Sequence, residues 1–162
     1  MYKLTIIVLM MTIWLMLHVM QTDEEIAMKT LFQGKHALNR AVHAAAQQVD
    51  KAALGDGVVR IDPLAAEASA NRYLQGNLQL DAAGKPLGSS LLKEPVKVVV
   101  FDVINNEHTF PYQYVNAQYS YEATLRRPGV VMIIKLVNPS VFTALKPIEW
   151  TIKGVSELTF DF

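Results

Sequence analysis

The chain opens on an apolar run with no formal charge between Leu4 and Met20, a stretch of 17 residues. As a helix it rises roughly 25 Å at 1.5 Å per residue, the short end of bilayer-spanning lengths. Tyr2 and Gln21 extend it toward the roughly 30 Å hydrocarbon core, placing Tyr2 and Lys3 at one interface and Asp23, Glu24 and Glu25 at the other. The pattern predicts a membrane signal anchor over residues 1–21, carried by Leu4, Ile7, Met11, Trp14 and Leu17. A cleaved secretory signal is the competing reading. Its apolar core is ordinarily shorter, however, and no small-x-small pair stands before Gln21.

Beyond the acidic trio the period changes. Leu31, Leu38, Val42, Ala45 and Val49 recur at helical spacing, which predicts an amphipathic helix over 26–49 within a second segment, 22–54. No proline interrupts residues 1–62, so the helix is free to continue out of the membrane, with bends expected at 21–25 and at Gly34. The small side chains of 41–46 imply close packing, either on the protein's own sheet or between copies through the Leu31, Leu38, Val42, Ala45, Val49 face. Gly55-Asp56-Gly57 breaks the pattern. Asp62-Pro63 then reads as a cap followed by a first-turn proline, so a second helix is expected over 63–75 with Leu64, Ala68, Tyr73 and Leu74 inward and Gly76-Asn77 ending it.

From residue 80 onward the pattern is that of strands between turn clusters. Residues 96–104 and 130–137 are dense in β-branched side chains and fit central strands. Over 148–162 the even positions are mostly apolar and the odd ones mostly polar, which predicts a strand with one buried and one wet face and a weak centre at Gly154. Tyr112, Tyr114, Tyr119 and Tyr121 predict a hairpin with tyrosines on matching faces; an exposed aromatic surface for a sugar or a partner is the alternative. The fold class is therefore α+β: a long transmembrane and amphipathic N-terminal helix, a short second helix, and an antiparallel sheet in an extracytoplasmic domain over 55–162.

Composition narrows the chemistry. Fifteen basic and 15 acidic residues balance, so no basic excess is available for a phosphate backbone and no nucleic-acid partner is expected. Absence of cysteine removes disulfides, thiol catalysis and cysteine-ligated zinc. His36 and His43 are about 10.5 Å apart along a helix, too far to share a metal ion. Asp56 and Asp62 lack the rest of a calcium loop, and Glu107-His108 reads as a solvated turn. His18, without a second ionisable group in the anchor, reads as an interfacial side chain; a proton relay is the alternative. Nucleophile-elbow, Walker, zincin and dinucleotide motifs are all missing, so neither an enzyme nor a cofactor is expected.

An apolar N-terminal helix passing into Ala37-Leu38-Asn39-Arg40-Ala41-Val42-His43-Ala44-Ala45-Ala46 and then a strand-rich domain resembles pilins and pseudopilins, and most nearly the TadE/TadG-type pilus-assembly proteins of the bacterial Tad system. The resemblance covers about the first 50 residues. The small residue before the apolar run and the glutamate five places into it, which prepilin processing uses, are not here. It implies a membrane-tethered part of a cell-envelope apparatus whose partners are lipid, other envelope or pilus-like proteins, or itself. A membrane-anchored extracytoplasmic binding module is the other class. Lys3 and the amino terminus precede the anchor and a long domain follows it, so the N-terminus is expected in the cytoplasm, although Lys29, Lys35 and Arg40 weigh the other way in the charge rule.

Overall fold

A computed structural model describes residues 2–139 and 147–159. Helix α1 (Tyr2–Ala46) is a single uninterrupted helix of 45 residues, about 68 Å long. Neither expected bend site breaks it. The hydroxyls of Thr12, Thr22 and Thr30 donate to the carbonyls of Val8, His18 and Ile26 one turn back, so these polar side chains are satisfied within the helix. Gly34 serves packing. A Cβ there would stand 2.2 Å from Leu136 Cδ1 and 2.9 Å from Ile152 Cδ1, so the helix backbone lies directly on the sheet.

The helix ends at Ala46, earlier than the apolar spacing suggests, because Val49 is drawn into an antiparallel bridge with Ile61. Asp50 N–H donates to Arg60 O at 2.9 Å, and Asp62 N–H to Gln48 O at 2.8 Å. Asp50 then caps the short α2 (Lys51–Gly55), and its carboxylate also meets Arg60 at 2.6 Å. The Ala53 amide first, and then Arg60, hold that carboxyl below the usual aspartate range.

Helix α3 (Pro63–Leu78) starts as the sequence suggests, with Asp62 accepting from Leu64 N and Ala65 N and proline in the first turn. Its inward face differs. Ala66, Ala70, Leu74 and Leu78 are buried, whereas Leu64, Ala68 and Tyr73 are exposed. The strict spacing of four matches the small-residue stripe Ala37, Ala41 and Ala45 of α1, and two alanine-lined faces pack closer than leucine and tyrosine would allow. Gly76-Asn77 lies inside the helix, which closes two residues later with Gln79 left-handed at φ 54°.

Three strands, β1 (Lys97–Ile104), β4 (Gly129–Asn138) and β5 (Ile148–Glu157), form an antiparallel sheet in the order β1-β4-β5. Between β1 and β4, β2 (Tyr112–Asn116) and β3 (Tyr121–Leu125) form a separate antiparallel hairpin, joined by a 3-10 turn at Ala117–Tyr119. Along β5 the expected alternation holds: Ile152 and Gly154 are buried, whereas Glu149, Thr151 and Val155 are exposed. The strand ends at Glu157, Leu158 N donates to Pro128 O at 2.7 Å, and residues 160–162 of the expected strand fall outside the described residues. Gly154 repeats the Gly34 device from the sheet side, since a Cβ there would meet Leu38 at 3.1 Å and Val42 at 3.4 Å. Helices therefore cover one sheet face. The hairpin covers part of the other, and β4 is almost entirely buried on both sides.

Asn105, just past β1, joins the helical and sheet halves. Its Oδ1 accepts from Ile61 N at 2.8 Å and its Nδ2 donates to Ile61 O at 2.9 Å, all of it buried. Asn105→Ala should destabilise by about 2–3 kcal/mol, since both backbone groups of fully buried Ile61 lose their partner. Asn106, whose bond to Val59 O is exposed, should tolerate alanine within about 0.5 kcal/mol. Gly34→Val should cost about 1–3 kcal/mol through overpacking, more than any gain in helix propensity. Denaturant unfolding of the full chain in detergent micelles, followed by tryptophan fluorescence, checks all three.

Candidate functional site: an exposed apolar helix half and an aromatic hairpin

Helix α1 is divided by burial. Leu4, Ile7, Met11, Trp14 and Leu17 are each more than half exposed, as are most of the apolar residues between them. Burial begins at Ala27 and continues through Thr30, Gly34, Ala37, Leu38, Ala41, Val42, Ala45 and Ala46. Among the described residues this is the one helix long and apolar enough to cross a membrane, and none of its most apolar stretch is covered by the protein. Within it Thr12 presents no unpaired hydroxyl to lipid. His18 stacks on Trp14 one turn earlier, with ring centroids 5.5 Å apart, so both rings lie on one stripe toward the C-terminal end of the run.

The face suggested for contact between copies is occupied internally. Leu38, Val42 and Ala45 are fully buried under α3 and the sheet, and Leu31 and Val49 pack at the edges of the same cluster. Of the two readings of this face, docking on the protein's own sheet is the one the structure shows. The physical reason is the pair of glycines, which brings helix and sheet close enough to exclude any other chain.

The tyrosines also turn inward. Register places Tyr112 opposite Leu125, Tyr114 opposite Ala123 and Asn116 opposite Tyr121, so one hairpin face carries Tyr112, Tyr114 and Tyr121. That face packs on Ile104, Val131 and Phe110, with Tyr114 buried and the other three tyrosines half-buried. An open platform made of all four is not what the hairpin presents. Tyr114 OH donates to Asp102 at 2.5 Å and accepts from Asn116 Nδ2. Lys153 Nζ donates to Ser120 O at 3.1 Å and lies over the Tyr121 ring, while Lys135 lies over Tyr119. Sequence reasoning missed these contacts. The available signal was Asp102, a lone carboxylate in an otherwise apolar strand, which demands a partner.

His36 is exposed, His43 lies 3.4 Å from Ser156 Oγ, and His108 stacks on Tyr112 at 4.2 Å. Glu107 accepts from Asn105 N. Among the described residues no three or more His, Asp or Glu side chains are grouped to hold a metal ion.

Fold and site together define an α+β domain carried on a helix long enough and apolar enough to cross a membrane. No family model, curated protein or solved structure matches the chain.

Burial, and then the bond to Asp102, push the Tyr114 phenol above the usual tyrosine range; burial alone does so for Tyr121. A phenol with a raised folded pKa contributes stability that is complete below the ordinary value and is lost as pH climbs through the raised one. The protein should therefore keep its stability to about pH 10 and lose it above that. Tyr114→Phe should cost about 1 kcal/mol at neutral pH and flatten the alkaline loss, as read by thermal unfolding across pH with tyrosinate absorbance recorded in parallel.

Proposed function

We propose that this chain is a single-pass, non-enzymatic structural or assembly component of a cell-envelope apparatus, of the pseudopilin-like kind and resembling TadE/TadG-type proteins of the Tad system. The N-terminus is cytoplasmic and the α+β domain extracytoplasmic. The observation that carries this reading is the division of one unbroken helix into an exposed apolar half and a half sealed into a sheet. A helix with that division transmits position and force from the bilayer to the domain without a hinge, which suits a part that holds other parts. Its partners are lipid and other envelope or pilus-like proteins, or further copies of itself, meeting surfaces other than the buried Leu38 and Val42 face.

Burial of that face also supports the second class, an anchored module that presents its domain to a ligand or partner outside the membrane. Self-association separates the two. Assembly predicts crosslinked oligomers of the full chain in membranes, whereas a lone module stays monomeric at every expression level.

Because the chain has no cysteine, topology can be read with single substitutions. In intact cells a membrane-impermeant maleimide should label Arg72→Cys, on the exposed side of α3, and leave Lys3→Cys unlabelled until the cells are permeabilised. The full chain should stay with membranes through an alkaline carbonate wash, and deletion of residues 2–21 should release it. Labelling of Lys3→Cys but not Arg72→Cys would reverse the orientation. Release of the full chain by carbonate would remove the anchor, and the proposed role with it.

A further inference from the structure

The contacts of α1 orient the domain relative to the bilayer. Asp62 N–H reaches Gln48 O at the start of α3, whereas near its end Asn77 is bonded to Arg40 and Gln33. Helix α3 thus runs back along α1 toward the anchor. Beside α1, β5 runs the other way: Ile152 lies at Gly34, Gly154 at Leu38 and Val42, Ser156 at His43, and Glu157 at Gln47. The segment 79–96 accordingly starts at the end of α3 and finishes at the start of β1 on the anchor side of the domain, the side where β4 also ends and β5 begins. It is folded on itself, with Leu87 N bonded to Gln79 O, Val96 N to Gly84 O, and Leu80 bridged to Pro86. Ser90 Oγ donates to Leu78 O at 2.6 Å. Carbonyls at a helix C-terminus point along the axis, so Ser90 lies beyond α3 on the anchor side.

On this loop Leu87 is 50% and Leu91 53% exposed, although neighbouring Leu92 is buried in the core. Lys85 and Lys93 on the same segment and Lys97 at the start of β1 are exposed, and none has an ion-pair partner among the described residues. Of the two acids in the segment, Asp81 turns its carboxylate onto the Ala83 and Lys85 amides and Glu94 is exposed. Two bare leucines on a segment that also carries exposed Lys85 and Lys93, at the anchor side of the domain, match an interfacial surface: the leucines enter the headgroup boundary and the lysines reach phosphate.

We infer that the 79–96 loop rests on the phospholipid surface of the membrane holding the anchor, giving the domain a second lipid contact. The inference rests on the anchor reading above. Distance permits it. The twelve positions from Gln21 to Gln33 rise about 18 Å, of which the headgroup layer takes about 6 Å, and a helix tilt of about 20° with the depth of the loop covers the remainder.

The test uses the full chain reconstituted in phosphatidylcholine vesicles with and without phosphatidylglycerol. A Cβ at Gly88, between the two leucines, and one at Gly55, at the opposite end of the domain, would each meet nothing within 4 Å, so Gly88→Cys and Gly55→Cys both accept an environment-sensitive fluorophore. Leu15→Cys, in the anchor, monitors insertion independently. The expected result is that spin-labelled lipid quenches the label at 88 at least fivefold more than that at 55. Leu87→Ser with Leu91→Ser should abolish the difference while Leu15→Cys remains quenched and the protein floats with the vesicles. Substituting Lys85, Lys93 and Lys97 by Gln should remove its sensitivity to salt and to phosphatidylglycerol. Equal quenching at 88 and 55 in a protein that floats would overturn the inference alone and leave the leucines to a protein partner. Loss of flotation and of Leu15→Cys quenching would overturn the anchor and the inference together.

Discussion

The architecture depends on how closely α1 lies on the sheet. Two side chains are missing where they would block it: Gly34 on the helix opposite Leu136 and Ile152, and Gly154 on the sheet opposite Leu38 and Val42. This reciprocal arrangement lets leucine and valine from one element fill the place left by glycine on the other. Leu38, Val42, Leu136 and Ile152 are all buried as a result, each worth about 1.5–3 kcal/mol against exposure. A glycine in mid-helix costs about 1 kcal/mol relative to alanine, so the packing term outweighs the propensity term. The consequence reaches beyond stability. Since the same helix continues into the apolar half, whatever fixes Gly34 against Leu136 also fixes how the apolar half leaves the domain.

Much of this was legible from residue patterns, and the failures share one cause. The long apolar first helix, the change of period after Gln21, the Asp62-Pro63 helix start and the alternation along β5 all follow from local rules, and the structure keeps them. Errors arose where a neighbour selects among local options. Leu64 and Tyr73 look like core residues on a wheel, but the partner face is an alanine stripe, and only the row Ala66, Ala70, Leu74 and Leu78 fits against it. Val49 has helical spacing, yet pairing with Ile61 pulls it out of the helix. Gly34 reads as a bend until the sheet above it is known. Position along the chain announces none of these partners.

The hairpin illustrates the same limit from the other side. Four tyrosines in ten residues suggest a packed hairpin, with an exposed surface as the alternative, but the sequence does not say what the hairpin packs on. Asp102 and the lysines of the sheet supply that partner. Tyr114 delivers its hydroxyl to Asp102 while its ring packs with Ile104, Leu125 and Val131, so the polar tip finds a partner without exposing the ring. Lys135 and Lys153 close over Tyr119 and Tyr121 at the turn end. A carboxylate and two lysines on the outer sheet face, which would otherwise read as ordinary solvated residues, are what the hairpin needs to dock.

Strand direction limits how copies of this chain can meet. Strand β5 runs with α1, β4 runs against it, and β1, antiparallel to β4, runs with α1 again. Both outer strands of the sheet therefore point away from the anchor. Antiparallel pairing between the edges of two copies reverses one strand, and with it one α1, so the apolar halves of the two helices would point in opposite directions. Copies whose α1 helices point the same way are denied that contact. An edge-to-edge contact between them has to be parallel, and β1 of one copy against β5 of the next satisfies that requirement with both anchors aligned. Such a contact joins two different surfaces, so it leaves an unused edge at each end and does not close on itself as a two-fold dimer would. The direction of α1 relative to the sheet thereby determines which kind of lateral association between like-oriented copies the sheet can support.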